Sequence, residues 1–170
     1  MHLLITGGAG FIGSNFIRHM LAKYPKYRIT NLDKLTYAGN LENLKDAEKN
    51  PMYGFVKGDI CDRNAVFEAA KDADVIINFA AETHVDRSIH SAGDFIKTDV
   101  YGTYVLLEAC REFRHVRFVQ ISTDEVYGSI PPQHDAVEAD MLRPSSPYSA
   151  SKAGSDLLAL SYFVTFHVPV

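Results

Sequence analysis

The sequence has little of what marks membrane, secreted or nucleic-acid-binding proteins. Cysteine is scarce: Cys61 and Cys110 are the only two, with no metal-type spacing. They suggest no disulfide framework, so a reducing cytoplasm is the expected setting and no metal site is expected. There is no basic block, and the net charge is −4. Nothing therefore calls for nucleic acid or a membrane surface as partner. No apolar run is long enough to span a bilayer. The first residues read as a strand followed by glycines, which is not a signal-peptide pattern. No internal repeat or low-complexity tract is present. Apolar content is 46% and charged content 22% of 170 residues, as in an ordinary soluble domain with a sizeable core.

What is present centres on Thr6-Gly7-Gly8-Ala9-Gly10-Phe11-Ile12-Gly13-Ser14. The apolar run His2-Leu3-Leu4-Ile5 before it reads as a buried strand. Asn15 to Leu21 after it reads as an amphipathic helix. Strand, glycine-rich turn and helix make the front half of a dinucleotide-binding βαβ unit. Gly7 allows a tight exit from the strand. Gly10 lets backbone approach a pyrophosphate, and Gly13 lets the helix pack close to the sheet. The helix N-terminus offers unpaired N–H groups and a positive dipole end to phosphates. The next run, Arg28 to Leu32, ends in Asp33, 20 residues after Gly13. A carboxylate at that strand tip accepts hydrogen bonds from an adenosine ribose and disfavours a 2′-phosphate, which argues for NAD over NADP. Loop capping is the plainer reading of Asp33.

Further along, Leu41 to Lys49 reads as a short helix stopped at Asn50-Pro51. Tyr53 to Gly58 reads as a third strand. It ends at Asp59-Ile60, a pair suited to hydrogen-bonding an adenine amine and covering its face. Asp62 is expected to cap the next helix, leaving Asp59 freer for ligand. Asp74 to Ala81 is the clearest buried parallel strand, and small residues at its end, Ala80 and Ala81, leave room for a cofactor. A polar cluster, Glu82 to Ser88, follows; its His84 reads equally as a ligand contact or a satisfied loop histidine. Asp94 to Phe113 reads as one long helix, with Ile96, Val100, Tyr104, Leu107 and Cys110 at helical spacing. Val116 to Ile121 is a fifth strand. The loop from Ser129 to Pro147 is long enough to suggest a functional role. Tyr148 opens a last helix.

Tyr148 and Lys152 lie one turn apart on that helix. A nearby ammonium stabilises a phenolate and lowers the phenol's pKa, making a tyrosine usable as a base near neutral pH. Asp124-Glu125 follows the fifth strand, where a substrate should lie. Loop capping is one reading; an acid and a base set apart by environment is the sharper one.

These stretches carry a resemblance. Thr6–Ser14, Asp33–Asn40 (DKLTYAGN), Ala80–Ser88 (AAETHVDRS), Ser122–Gly128 (STDEVYG) and Pro147–Lys152 (PYSASK) span nearly the whole chain. The chain resembles the N-terminal part of the extended short-chain dehydrogenase/reductases acting on nucleotide sugars, and among them the dTDP-glucose 4,6-dehydratases. Sugar epimerases usually carry small or hydroxyl residues in place of Asp124-Glu125. The resemblance implies a Rossmann-type doubly wound parallel sheet with helices on both faces. It implies a lyase that converts dTDP-glucose to dTDP-4-keto-6-deoxyglucose with bound NAD, as in rhamnose-forming nucleotide-sugar metabolism. Tyr148 would take the proton of the sugar 4-hydroxyl, and Lys152 would hold the nicotinamide ribose and lower the pKa of Tyr148. Glu125 would remove the C5 proton, and Asp124 would protonate the departing 6-hydroxyl. Thr123 would hydrogen-bond the 4-oxygen, with Thr83 and His84 lining the sugar site. Cofactor contacts would come from Phe11, Ile12, Asp33, Lys34, Leu35 and Thr36, then Asp59 and Ile60, and from Phe79, Ala80, Ala81 and Thr98, beside the three glycines.

Departures qualify this. Thr83 stands where serine is more common, but keeps a hydroxyl. Asp99 stands where asparagine is usual, so an amide donor is lost and local packing or backbone ordering is expected to suffer. The chain also stops where relatives enter their next core strand. The expectation is therefore a single NAD-binding domain over 1–170, with an incomplete sheet, without the C-terminal nucleotide-sugar part and without turnover by itself. A homodimer through the helices at Asp94–Phe113 and Tyr148–Phe166 is expected, with Tyr101, Tyr104 and Tyr162 as contacts or core. Other readings are a UDP-glucose 4,6-dehydratase, an epimerase, a decarboxylase, or an NAD-binding regulatory module without catalysis.

Overall fold

A computed structural model describes every residue, Met1–Val170. Five parallel strands form its sheet: β1 (His2–Thr6), β2 (Arg28–Asp33), β3 (Tyr53–Lys57), β4 (Val75–Asn78) and β5 (Arg117–Gln120). Their spatial order is β3-β2-β1-β4-β5. The order reverses between β1 and β4, which run in register from Leu3 opposite Val75 to Thr6 opposite Asn78. Ligands of open α/β sheets bind at such a reversal, outside the carboxyl ends of the strands.

Alternation along the strands supplies two faces. Leu4, Leu32, Ile76 and Phe118 join one core, completed by Val66, Leu106, Leu107 and Ala159. These last four come from α2 (Arg63–Ala70), α5 (Thr103–Glu112) and α6 (Pro147–Phe166). Leu3, Ile5, Ile29 and Ile77 join the other core, with Ile17 and Leu21 of α1 (Phe11–Lys23) and Leu44. Each fully buried aliphatic side chain contributes about 1.5–3 kcal/mol. No helix is long and apolar enough to cross a membrane.

Helix starts follow local chemistry. Asp62 caps α2, accepting from the N–H groups of Asn64 and Ala65. Ser146 caps α6 in a reciprocal pair with Ser149, and Pro147 occupies the first turn. The region expected to be a helix over Leu41–Lys49 is a single 3₁₀ turn, Leu41–Leu44.

Two further elements depart from expectation. Val85–His90, within the polar cluster, forms a short helix, α3. The long helix expected from Asp94 is interrupted: α4 (Ala92–Phe95) passes into a π-helical segment, Ile96–Gly102, before α5. The wider turn changes which side chains face inward. Ile96 and Tyr104, at core-like spacing, are 53% and 39% exposed, whereas Asp99 is buried. Tyr162 belongs to the core rather than the surface, its hydroxyl donating to Glu108 Oε1 at 2.7 Å.

Candidate functional site

At the reversal lies a cleft of about 420 Å³. Its floor is the turn after β1. Gly7 has φ +68°, and a Cβ there would sit 2.5 Å from the backbone nitrogen of Ala80. At Gly13 a Cβ would lie 2.5 Å from the Gly7 carbonyl, so α1 packs against the turn only because it is bare. A Cβ on Gly10 would meet only the Gly7 carbonyl, at 3.3 Å, and the Ala38 carbonyl, at 4.0 Å. Helix α1 has no side-chain cap. Its first backbone bond runs from Ser14 N to the Gly10 carbonyl, which leaves the N–H groups of Phe11, Ile12 and Gly13 without protein partners. All three residues line the cleft. An uncapped N-terminus there suits an anion.

Asp33 ends β2 and is nearly buried on the cleft wall. Its Oδ2 accepts from Ala9 N at 2.9 Å and its Oδ1 from Leu35 N at 2.8 Å. It therefore does cap the loop, and it ties the glycine turn to β2. A carboxylate has about four acceptor sites, so two remain for a ligand hydroxyl. Leu35 contributes its backbone, at φ +58°, and does not line the cleft. Lys34 and Thr36 do.

Asp59 and Ile60 line the cleft wall, but Asp59 is not free. Lys34 Nζ pairs with its Oδ2 at 2.8 Å, and Cys61 N donates to its Oδ1 at 2.9 Å. Burial pushes this carboxyl up, while the Lys34 ammonium and the Cys61 N–H outweigh that and hold it below its ordinary value.

Phe79, Ala80, Ala81, Thr83, His84 and Thr98 also line the cleft. His84 has φ +75° and precedes α3. Sequence reasoning passed over Glu82. It lines the cleft with a buried Oε2 that has no hydrogen-bond partner, the nearest cation being Arg87 Nη2 at 3.8 Å. Its place in a dense polar cluster was the only signal. Arg87 stacks on Tyr37 at 3.7 Å from the ring centre, closing that side.

At the opposite end, Tyr148 and Lys152 of α6 line the cleft beside Ile121 and Ser122. Lys152 Nζ donates to the Ile121 carbonyl at 2.6 Å. Thr123, Asp124 and Glu125 lie just past Ser122, beyond the lining residues, on a 3₁₀ turn (Asp124–Tyr127) that Thr123 Oγ1 caps. Asp124 and Glu125 are exposed. The expected lowering of the Tyr148 pKa by Lys152 is not found. Burial raises the phenol; the Thr123 hydroxyl works against this, and the carboxylates of Asp99, Glu125 and Asp124 add to it. The Lys152 ammonium is turned to the Ile121 carbonyl instead. No group of histidine, cysteine, aspartate or glutamate side chains is placed to hold a metal ion.

Asp99 does not loosen its surroundings. Both its neighbours are donors: Glu82 N reaches Oδ1 at 2.8 Å and the Ser151 hydroxyl reaches Oδ2 at 2.6 Å. The Ser151 hydroxyl also lies 2.8 Å from the Tyr148 carbonyl, so its one proton is shared between two acceptors.

The GDP-mannose 4,6 dehydratase family model matches residues 4–170. The chain belongs to that family. Among relatives within it, the low-salt glycan biosynthesis protein Agl12 of Haloferax volcanii is 53% identical over 99% of this chain and 54% of its own length. The dTDP-glucose 4,6-dehydratase of Streptomyces antibioticus is 52% identical over 100% of this chain and 51% of its own. Among solved structures, the dTDP-glucose 4,6-dehydratase DesIV of Streptomyces venezuelae, with NAD bound, superposes with a TM-score of 0.95 at 48% identity, over 99% of this chain and 53% of its own. The UDP-glucose 4-epimerase of Thermus thermophilus, also with NAD, gives 0.88 at 31%, over 99% and 52%. The chain thus spans about half the length of the relatives it matches.

The crowding around the glycine turn sets a testable contrast. Gly7→Ala forces a side chain into a left-handed backbone and against Ala80. It is expected to cost ~2 kcal/mol or more in urea unfolding. Gly10→Ala, facing the open cleft, is expected to stay within about 0.5 kcal/mol of the parent. Equal losses would mean that the turn is not packed this way.

Proposed function

We propose that residues 1–170 form the cofactor-binding domain of a dTDP-glucose 4,6-dehydratase, a lyase using NAD. The observation that carries this reading is that Thr123, Asp124 and Glu125 follow Ser122 just past the end of the cleft lined by Tyr148 and Lys152, whose other end suits a dinucleotide. The residues fit NAD on their own chemistry. Uncapped N–H groups of Phe11, Ile12 and Gly13 await a pyrophosphate. Gly10 leaves the space above them clear, and Asp33 keeps acceptors for an adenosine ribose. Lys152 has donors to spare for the second ribose, having one carbonyl partner.

NAD held there would supply reversible hydride transfer, from sugar C4 and back to C6. Tyr148 removes the proton of the 4-hydroxyl as C4 becomes a ketone, with Thr123 hydrogen-bonded to the same oxygen. Glu125 then removes the C5 proton, which the ketone has acidified. Asp124 gives a proton to the 6-hydroxyl, which leaves as water. With hydride added at C6, C5 takes back a proton from Glu125 and the proton held by Tyr148 restores Asp124, so the sum is redox-neutral: one sugar yields a 4-keto-6-deoxy sugar and water. Two carboxylates are needed for this and not for simple oxidation or epimerisation, which is why the dehydratase reading is preferred to an epimerase.

On the full protein that carries this chain, dTDP-glucose with deuterium at C4 is expected to give product with deuterium at C6. Tyr148→Phe is expected to slow turnover by about 10²-fold or more. Recovery of a sugar that keeps its 6-hydroxyl would overturn the reading in favour of an epimerase.

A homodimer is proposed through the outer faces of α6 and the π-helical segment. Leu157, Leu160, Phe163 and Val164 are exposed there, with Ile96, Tyr101 and Tyr104 exposed on the neighbouring helix. So large an apolar face fits an interface. Leu160→Asp with Phe163→Asp is expected to halve the mass seen in sedimentation equilibrium; a parent that is already monomeric would exclude the dimer.

A further inference from the structure

The ends of β2 and β3 meet on the cleft wall, where Gly58 N donates to the Asp33 carbonyl at 3.0 Å. Three charged side chains line the cleft there: Asp33, Lys34 and, two residues past β3, Asp59. Asp33 is held by the N–H groups of Ala9 and Leu35. Lys34 follows it directly. Left to itself, Lys34 would put an ammonium beside the place where an adenosine ribose is expected. A cation at that point is what accommodates a ribose 2′-phosphate. One strand end therefore carries opposed signals: Asp33 disfavours a 2′-phosphate, and Lys34 invites one. The structure decides between them. Lys34 Nζ lies 2.8 Å from Asp59 Oδ2, and Asp59 Oδ1 accepts from Cys61 N at 2.9 Å. The Asp59 side chain is 26% exposed and that of Lys34 55%. The better buried, backbone-anchored carboxylate thus fixes the freer lysine.

We propose that Asp59 is a specificity-determining residue: by pairing with Lys34 it denies a 2′-phosphate the cation next to Asp33, and so favours NAD over NADP. This deepens the proposed function and rests on it. A 2′-phosphate brought to this wall meets two carboxylates and an ammonium already engaged, so it would have to break the Lys34–Asp59 pair to gain a partner. Discrimination of this kind works by withholding a contact from the wrong ligand rather than by adding one for the right ligand. The hydrogen bond from Asp59 raises the Lys34 pKa, and slight burial opposes that, so Lys34 stays a cation whose charge is answered. Two plainer roles for Asp59 predict something different. A carboxylate that only accepts from an adenine amine treats NAD and NADP alike, because the two differ only at the 2′-position. A brace that only joins two strand ends does the same.

The test uses the full protein that carries this chain. Affinity for NAD⁺ is measured by calorimetry, and for NADP⁺ by displacement of NAD⁺, in the parent, in Asp59→Asn and in Asp59→Asn combined with Lys34→Met. Asparagine keeps an oxygen for Cys61 N and removes the charge. At low salt, Asp59→Asn is expected to bind NADP⁺ about fivefold more tightly than the parent does, with no such gain for NAD⁺. The gain is expected to vanish when Lys34 is also replaced. If the parent binds NAD⁺ but Asp59→Asn gains nothing for NADP⁺, or if the gain survives the loss of Lys34, the proposal is overturned and the NAD reading stands. If the parent binds no NAD⁺, the proposed function falls and this proposal with it. Should Asp59→Asn not fold, the parent decides through ¹³C-labelled lysine. A Lys34 titration above the ordinary lysine value supports the pairing, and one at or below that value overturns it.

Discussion

The turn after β1 has no room for side chains, and the rest of the site depends on that. Gly7 lies against the backbone of Ala80, and Gly13 lies against Gly7. This contact brings the end of β1, the end of β4 and the start of α1 to one point. The N-terminus of α1 is left uncapped on the cleft, where a capping side chain would have filled the anion's place. Asp33 then joins β2 to the same turn through Ala9 N. One carboxylate thus does two jobs: it holds the loop, and it presents its remaining lone pairs to the cleft.

The other end of the cleft holds two buried charges, Asp99 and Lys152, and the half-buried Asp156. Lys152, Asp99 and Asp156 sit among β4, β5, the π-helical segment and α6, each with at least one hydrogen bond. Burying such groups costs free energy that pairing only partly offsets. The arrangement makes sense as a way to keep a cation at a fixed place next to Tyr148. In the structure that cation faces the Ile121 carbonyl, and the Tyr148 phenol is held protonated by burial. Activating the phenol therefore requires something further, and a ligand filling the cleft between them is the natural candidate.

What was legible in the sequence was local. The strand, the glycine turn, Asp33, the Asp62 cap and the start of α6 each follow from a few adjacent residues. What was not legible depends on contacts between distant segments. Asp59 reads as free until Lys34, from the other strand tip, is seen to occupy it. The helix from Asp94 reads as regular because spacing alone cannot show a π-helical turn. That turn is accompanied by bonds from Asp99 to Glu82 and Ser151. Tyr162 reads as surface or core equally well, and only Glu108 decides it. Helix α3 is short and polar, so no periodicity could announce it.

The cleft is proposed to take NAD, with Asp33 setting the choice. Calorimetric titration of the protein with NAD⁺ and with NADP⁺ tests it most directly. NAD⁺ is expected to bind, and NADP⁺ to bind at least about tenfold more weakly, a difference of about 1.4 kcal/mol. Equal or tighter binding of NADP⁺, or no binding of either, would contradict it.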